Sequence, residues 1–209
     1  MTLEAELARG LDALHLSLGH SIQNKLLDYI ALLQKWNRVY NLTAVRDPER
    51  MLTHHVLDSL AVVPHLGGGR IVDVGSGAGL PGIPIAMALP QSHVTLLESN
   101  HKKSTFLNQA AIELGLANTH VENSRAETWR PEKLFDIVIS RAFSEIAEFI
   151  AAAAHLCAAD GLLAAMKGVY PYEELNQLPE GYRLLGVTPL RVPGLAAERH
   201  LVRIEAVKR

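Results

Sequence analysis

The segment Asp73-Val74-Gly75-Ser76-Gly77-Ala78-Gly79-Leu80-Pro81-Gly82 holds the strongest chemical signal in the chain. It joins a short apolar run at 70–74 to a helical pattern at 83–89. Glycines at the carboxyl end of a buried strand let backbone amides approach a ligand and permit positive φ. Pro81 and Pro84 fit in a first helical turn. Two cofactors compete for such a loop. Gly77-x-Gly79-x-x-Gly82 matches the dinucleotide fingerprint. In that fingerprint, however, the first glycine follows the strand directly. Here that glycine is Gly75, and counting from it puts Leu80 where the third glycine belongs. An acid at Asp73 would repel a pyrophosphate. It suits S-adenosyl-L-methionine, which carries a sulfonium and an ammonium and no phosphate. A plain turn closing a strand–helix unit would not need so much glycine and proline. Glu98 ends the second strand, where a carboxylate accepts ribose hydroxyls from either cofactor.

Arg141 ends the fourth strand. A guanidinium there can hold guanine or a phosphate through paired hydrogen bonds, or form an ordinary ion pair with Glu145. Lys102, Lys103, Arg125, Lys167 and Arg199 would surround the same mouth and touch phosphates, or else be plain solvated charges. Phe143 could stack on an extruded base or belong to the core. Trp36 and Tyr40 pack a helix on the sheet and Asn41 caps its end, whereas Asn37 has no evident structural use. His54 and His55 stand four and three residues before Asp58. That is too few ligands for a metal, and a buried His54–Asp58 hydrogen bond is expected instead. Ser76 is no hydrolase nucleophile, because position 74 of a Gly-x-Ser-x-Gly motif would be glycine and is Val74.

These residues need elements to position them. The chain has 209 residues, 48% hydrophobic and 20% charged, enough for one large domain with a real core. The single cysteine, Cys157, excludes an internal disulfide and suits a reducing compartment. No apolar run nears the ~20 residues of a membrane span, and the acidic N-terminus is unlike a signal peptide. A cytoplasmic protein is expected. The net charge of -2 argues mildly against nucleic-acid binding. The stretch from Arg183 to Arg209 is the exception, with six cations (Arg183, Arg191, Arg199, Arg203, Lys208, Arg209) against Glu198 and Glu205, a net of +4.

Leu3, Leu7, Leu11 and Leu14 recur at helical spacing, and Gly19 breaks the row. A second helix starts at Ser21 as N-cap and runs to Tyr40, and a third starts at Asp47-Pro48. The triple glycine 67–69 then divides a helical cap, 1–66, from the domain 67–209. Beyond it, strands at 70–74, 94–97, 119–122, 136–140 and 161–166 alternate with helices at 83–89, 102–114 and 146–156. The runs 182–189 and 200–207 form a final antiparallel pair at the sheet edge. The pattern predicts an α/β fold with a seven-stranded, mostly parallel sheet and an N-terminal helical cap.

With these residues in place the chain resembles a class I (Rossmann-like) methyltransferase. More narrowly, it resembles the family first named glucose-inhibited division protein B, which methylates N7 of a guanine in 16S ribosomal RNA. The marks are Lys35-Trp36-Asn37-Arg38-x-Tyr40-Asn41-Leu42-Thr43, His54-x-x-x-Asp58-Ser59-Leu60 and the run from Asp73 to Ile85. Further marks are Ser124-Arg125-Ala126-Glu127, Ser140-Arg141-Ala142-Phe143, Lys167-Gly168 and Glu198-Arg199-His200. The resemblance implies that Gly75, Gly77 and Leu80 line the methionine end of S-adenosyl-L-methionine. It puts Glu98 near the ribose and Ala126 and Glu127 beside the adenine. Arg141 then lies by the methyl group and the incoming base. Arg125, Lys102, Lys167 and Arg199 would meet RNA. The implied partner is 16S ribosomal RNA or the small ribosomal subunit, and a monomer without metal or membrane is expected. Two rivals stand beside this. A nicotinamide-dependent oxidoreductase would want a Tyr-x-x-x-Lys motif, and Tyr170 and Tyr172 are followed four later by Glu174 and Asn176. A non-catalytic RNA-binding module could keep the same fold.

Overall fold

The computed structural model describes residues 2–207. The strands are β1 (Arg70–Val74), β2 (His93–Leu97), β3 (Thr119–Glu122), β4 (Phe135–Ser140), β5 (Cys157–Lys167), β6 (Tyr182–Pro189) and β7 (His200–Ala206). They form one sheet in the order β3-β2-β1-β4-β5-β7-β6. The first five pair in parallel, and β7 runs antiparallel between β5 and β6. The expected α/β fold is therefore present. The final strands are an antiparallel pair at one edge, with β6 outermost. Ile71, Val72, Ile137, Val138 and Ile139 are buried in unbroken runs, because helices cover both faces of the central strands. β5 begins four residues earlier than expected, since Cys157 already pairs with Phe135 across a register irregularity.

The cap contains α1 (Leu3–Ala13), α2 (His20–Tyr40), α3 (Pro48–Met51), a π-helical stretch (Leu52–Leu57) and α4 (Asp58–Leu60). The sheet is flanked by α5 (Gly82–Ala88), α6 (His101–Glu113), α7 (Ile146–Ala153) and the short α8 (Tyr172–Leu175). Ser21 is not the cap of α2. Gly19 takes that place, two residues earlier, and offers no side-chain bond. Asn41 closes α2 in the left-handed region with φ of 49°. The Asp47 side chain caps α3, accepting from the Arg50 N–H at 2.9 Å.

Cap and sheet share one apolar core. Leu7, Leu26, Leu33 and Leu60 pack in the same cluster as Ile71, Ile83, Phe106 and Leu201. The opposite sheet face buries Val72, Val138 and Val202 against Phe149 and Ile150 of α7. Trp36 meets α6 rather than the sheet, edge-on to Phe106 at 5.6 Å, and Tyr40 stacks on Trp36 at 5.2 Å.

Helix α5 approaches the sheet so closely that a Cβ on Gly82 would lie 2.3 Å from Leu96 Cδ2 and 2.8 Å from Asp73 Oδ2. Both neighbours are fully buried. Gly82→Ala is accordingly expected to destabilise the fold by about 1–3 kcal/mol, the usual cost of overpacking. Urea denaturation checks this, and an unchanged midpoint would contradict the packing described.

Candidate active site

The strand order reverses between β1 and β4, so their carboxyl ends open a crevice. The glycine loop lies at its floor. Gly75, Gly77 and Gly79 have φ of 71°, 59° and 89°, a region that favours glycine. A Cβ on Gly75 would sit 2.8 Å from Ala142 Cβ, so the loops after β1 and β4 touch there. The N–H groups of Gly75 and Ser76 both donate to Leu97 O, at 2.9 and 3.1 Å. Buried Glu98 accepts from the Gly77 N–H and the Asn100 N–H, each at 2.8 Å. From the cap, the Tyr29 hydroxyl donates to Ala78 O at 2.6 Å. Ser140 ties the two strand ends together, donating to Val74 O at 2.7 Å and accepting from the Ala142 N–H at 3.1 Å.

A cavity of about 170 Å³ lies beside this loop, bounded by Gly75, Gly77, Leu80, Thr43, His55 and Arg141. Ala126 is buried and Glu127 exposed in the turn after β3, outside that cavity. Asp73 does not face it either. The side chain is fully buried beneath the loop, and its Oδ2 accepts from the Gly82 N–H at 2.9 Å. Its Oδ1 has no partner among the described residues. Burial pushes the carboxyl up to about 7, with the Gly82 bond pulling the other way. Asp73 therefore braces the loop from below and does not present a charge to a ligand.

A second cavity, of about 480 Å³, is walled by Val45, His54, Asp58, Phe143, Lys167 and Arg199. It shares His55 and Arg141 with the first. Arg141 Nη1 donates to Asp58 Oδ2 at 2.9 Å and to His54 O at 3.2 Å. Arg199 Nε donates to Asp58 Oδ1, also at 2.9 Å. Asp58 is 1% exposed, so one buried carboxylate from the cap holds two guanidiniums from the ends of the sheet. Glu145 is not the partner of Arg141. Nor does His54 bond to Asp58: its Nδ1 meets Thr53 Oγ1 at 2.8 Å and Arg50 O at 3.1 Å. The π-helical stretch alters the spacing on which the i, i+4 pairing relied.

His55 Nδ1 lies 2.9 Å from His54 O, a contact that requires the proton on Nδ1. Nε2 then accepts from the Thr43 hydroxyl at 2.8 Å. Burial pushes this imidazole down to about 4, so it is neutral at neutral pH. The neck between the cavities thus contains a neutral ring and a paired arginine.

The expected cationic set divides. Arg141, Lys167 and Arg199 gather around the larger cavity. Lys102, on the first turn of α6, and Arg125 are exposed and line neither cavity. Lys167 is not a bare cation, because it pairs with Glu174 at 2.8 Å and also donates to Ser144 O. Phe143 is half-buried against Phe149 at 5.5 Å while still lining the cavity. The basic stretch near the C-terminus is partly neutralised, with Arg183 on Glu205 and Arg199 on Asp58. Lys208 and Arg209 lie outside the described residues. Asp58, Thr43 and Tyr29 were missed as site residues. The His-x-x-x-Asp spacing pointed to Asp58 but named the wrong partner, and Thr43 stood only at the end of the Lys35–Thr43 mark, without a role.

Solved structures share this architecture. A methyltransferase from Aquifex aeolicus described as SAM dependent superposes with a TM-score of 0.60 at 18% identity, covering 76% of this chain and 93% of that one. A glycopeptide N-methyltransferase complexed with S-adenosyl-L-methionine gives 0.63 at 12% identity, over 74% and 88%. The fold is that of a class I methyltransferase. The model of the family rRNA small subunit methyltransferase G matches residues 22–202. Ribosomal RNA small subunit methyltransferase G of Nitrosospira multiformis is 58% identical, covering 97% of each chain, and that of Chromobacterium violaceum is 56% identical, over 98% and 99%. The chain belongs to the rRNA small subunit methyltransferase G family.

Two measurements check the geometry. Asp58→Ala strands two guanidiniums in a half-buried wall and is expected to cost about 3–5 kcal/mol of unfolding free energy. A loss below about 1 kcal/mol would contradict the bridge. Asp73 binds its proton more tightly folded, with a value of about 7 against 3.8 for the free group. It therefore favours the fold at low pH, and this contribution is lost as pH rises between about 4 and 7, by about 1.4 kcal/mol per pH unit. Asp73→Asn should remove that slope from the pH dependence of stability, and parallel wild-type and variant curves would contradict the burial.

Proposed function

We propose that the chain transfers the methyl group of S-adenosyl-L-methionine to N7 of a guanine in 16S ribosomal RNA of the small ribosomal subunit. It would act in the cytoplasm as a monomer, without metal. The observation that carries this is the neck between the two cavities, which offers no free base. His55 already spends its Nε2 lone pair on Thr43, and Arg141 is paired with Asp58. Guanine N7 has an in-plane lone pair and no proton, so its methylation needs none. Exocyclic amines and hydroxyls would need one. The enzyme's task is then positioning.

The residues fit the cofactor. Gly75, Gly77 and Leu80 would hold its methionine end in the smaller cavity. Glu98 would take the ribose, since each oxygen has only one backbone donor and can accept another bond. Ala126 and Glu127 would flank the adenine. When bound, the cofactor supplies an electrophilic methyl group. Arg141 is the catalytic residue of this proposal. Its Nη1 is committed to Asp58 and His54, while Nε and Nη2 remain to grip guanine O6 or a phosphate. Occupying N7 would block the reaction. Arg199 and Lys167 would meet RNA within the cavity, and Lys102 and Arg125 further along the strand. In this division of labour residues 1–66 close over the crevice and residues 67–209 hold the cofactor.

The family membership supports this reading over an oxidoreductase or a non-catalytic RNA-binding module. The test uses labelled S-adenosyl-L-methionine and small subunits lacking N7-methylguanine, followed by borohydride and aniline cleavage. One label-dependent cut in 16S RNA is expected, reduced at least about 100-fold in Arg141→Ala, the scale for removing an electrostatic catalytic donor. Cofactor binding with no label in RNA would overturn the substrate.

A further inference from the structure

We propose that the segment from Lys35 to Arg50 of the cap is an RNA-docking surface that leads the substrate strand into the larger cavity. The inference rests on the RNA reading above and adds residues it did not include. Its first support is a sorting of the cations. Arg141, Lys167 and Arg199 line the cavity but are each paired, the two arginines sharing Asp58 and the lysine taking Glu174. Lys35, Arg38, Arg46 and Arg50 are exposed, and none forms an ion pair among the described residues. Only Arg46 has a side-chain contact there, at 3.5 Å to Asn41 Oδ1. The acids nearby are Asp47, whose carboxylate is turned to the Arg50 N–H as a helix cap, and Glu49. This short segment is net positive in a chain whose net charge is -2.

The second support is an aromatic among the cations. Tyr40 is 40% exposed and lies on Trp36, which is itself fixed against Phe106. A ring backed by two others is a rigid platform for an unpaired base, and Arg46, bonded to the Asn41 side chain next in sequence to Tyr40, suits an adjoining phosphate. That combination favours a nucleic acid over an acidic protein.

The third support is continuity with the cavities. Asn37 is 3% exposed, and it has a use the sequence did not reveal. Its Nδ2 donates to Thr43 O at 2.9 Å and Val45 O at 3.3 Å, while Oδ1 accepts from the Thr43 N–H at 2.9 Å. The loop after α2 is thereby pinned with Leu42 and Thr43 against the smaller cavity and Val45 against the larger. Arg46 leaves the pinned loop at the next position. The Arg50 carbonyl accepts from His54, which also lines the larger cavity. A base turned out of its stack into that cavity needs its backbone held nearby, and Arg46 follows the lining residue Val45 with a charge that no acid pairs among the described residues.

The test is the full-length variant Arg38→Gln/Arg46→Gln/Arg50→Gln, with Arg46→Gln alone in reserve should the triple variant fail to fold. Calorimetric affinity for S-adenosyl-L-methionine within about twofold of wild type establishes an intact cofactor site. The KM for small subunits should rise at least about tenfold with kcat within about threefold. In filter binding of 16S RNA, the slope of log Kd against log salt should fall by about 2–3, roughly one per phosphate contact removed. A wild-type KM and salt slope in the variant would overturn the proposal. So would normal action on purified RNA with loss only on whole subunits, which would assign the surface to a ribosomal protein. If wild type transfers no methyl group, the proposed function fails, and RNA binding alone then decides the surface.

Discussion

A carboxylate at 1% exposure stands between two guanidiniums, and the candidate site depends on it. Asp58 comes from the cap, Arg141 from the end of β4 and Arg199 from the residue before β7. Burying a charge is unfavourable unless it is paired and hydrogen-bonded, so Asp58 requires both arginines in place. The requirement runs in both directions: the arginines cannot turn freely into the cavity, and each keeps donors that Asp58 does not use. The bridge also lowers the positive potential at the neck between the two cavities. His55 contributes to the same end by remaining neutral.

The cap is more than a cover. Tyr29 holds the glycine loop from one side, Asn37 fixes the loop that lines both cavities, and Asp58 fixes the arginines. Because cap and sheet share a continuous apolar core, these three contacts are held by packing as well as by hydrogen bonds. The crevice between β1 and β4 is thus shaped by residues far apart in sequence, and the cap and the sheet domain both wall the larger cavity.

Much of the fold could be read from sequence. Strands β1, β3 and β6 begin and end where their apolar runs and flanking turn residues indicate, and Asp47-Pro48 marks α3 correctly. The glycine loop and the strand-end positions of Glu98 and Arg141 were also legible, because strand–loop–helix chemistry is local. Partners were not. Arg141 and Asp58 are 83 residues apart, and no local pattern joins them. The His54–Asp58 expectation assumed 3.6 residues per turn, which the stretch Leu52–Leu57 does not follow. Asp73 was assigned the correct strand and the wrong direction, since alternation does not say which face lies under the loop. Asn37 looked idle because its partners are backbone groups, which carry no signature in the sequence.

The dependence of the site on Asp58 can be measured most directly with a double-mutant cycle between Asp58→Asn and Arg141→Lys, read as the single-turnover rate of methyl transfer to small subunits. If Asp58 acts by holding Arg141, each change alone should slow transfer and the second should add little, giving an interaction of about 1 kcal/mol or more. Additive effects would contradict a shared role and leave the cap's carboxylate as a structural contact only.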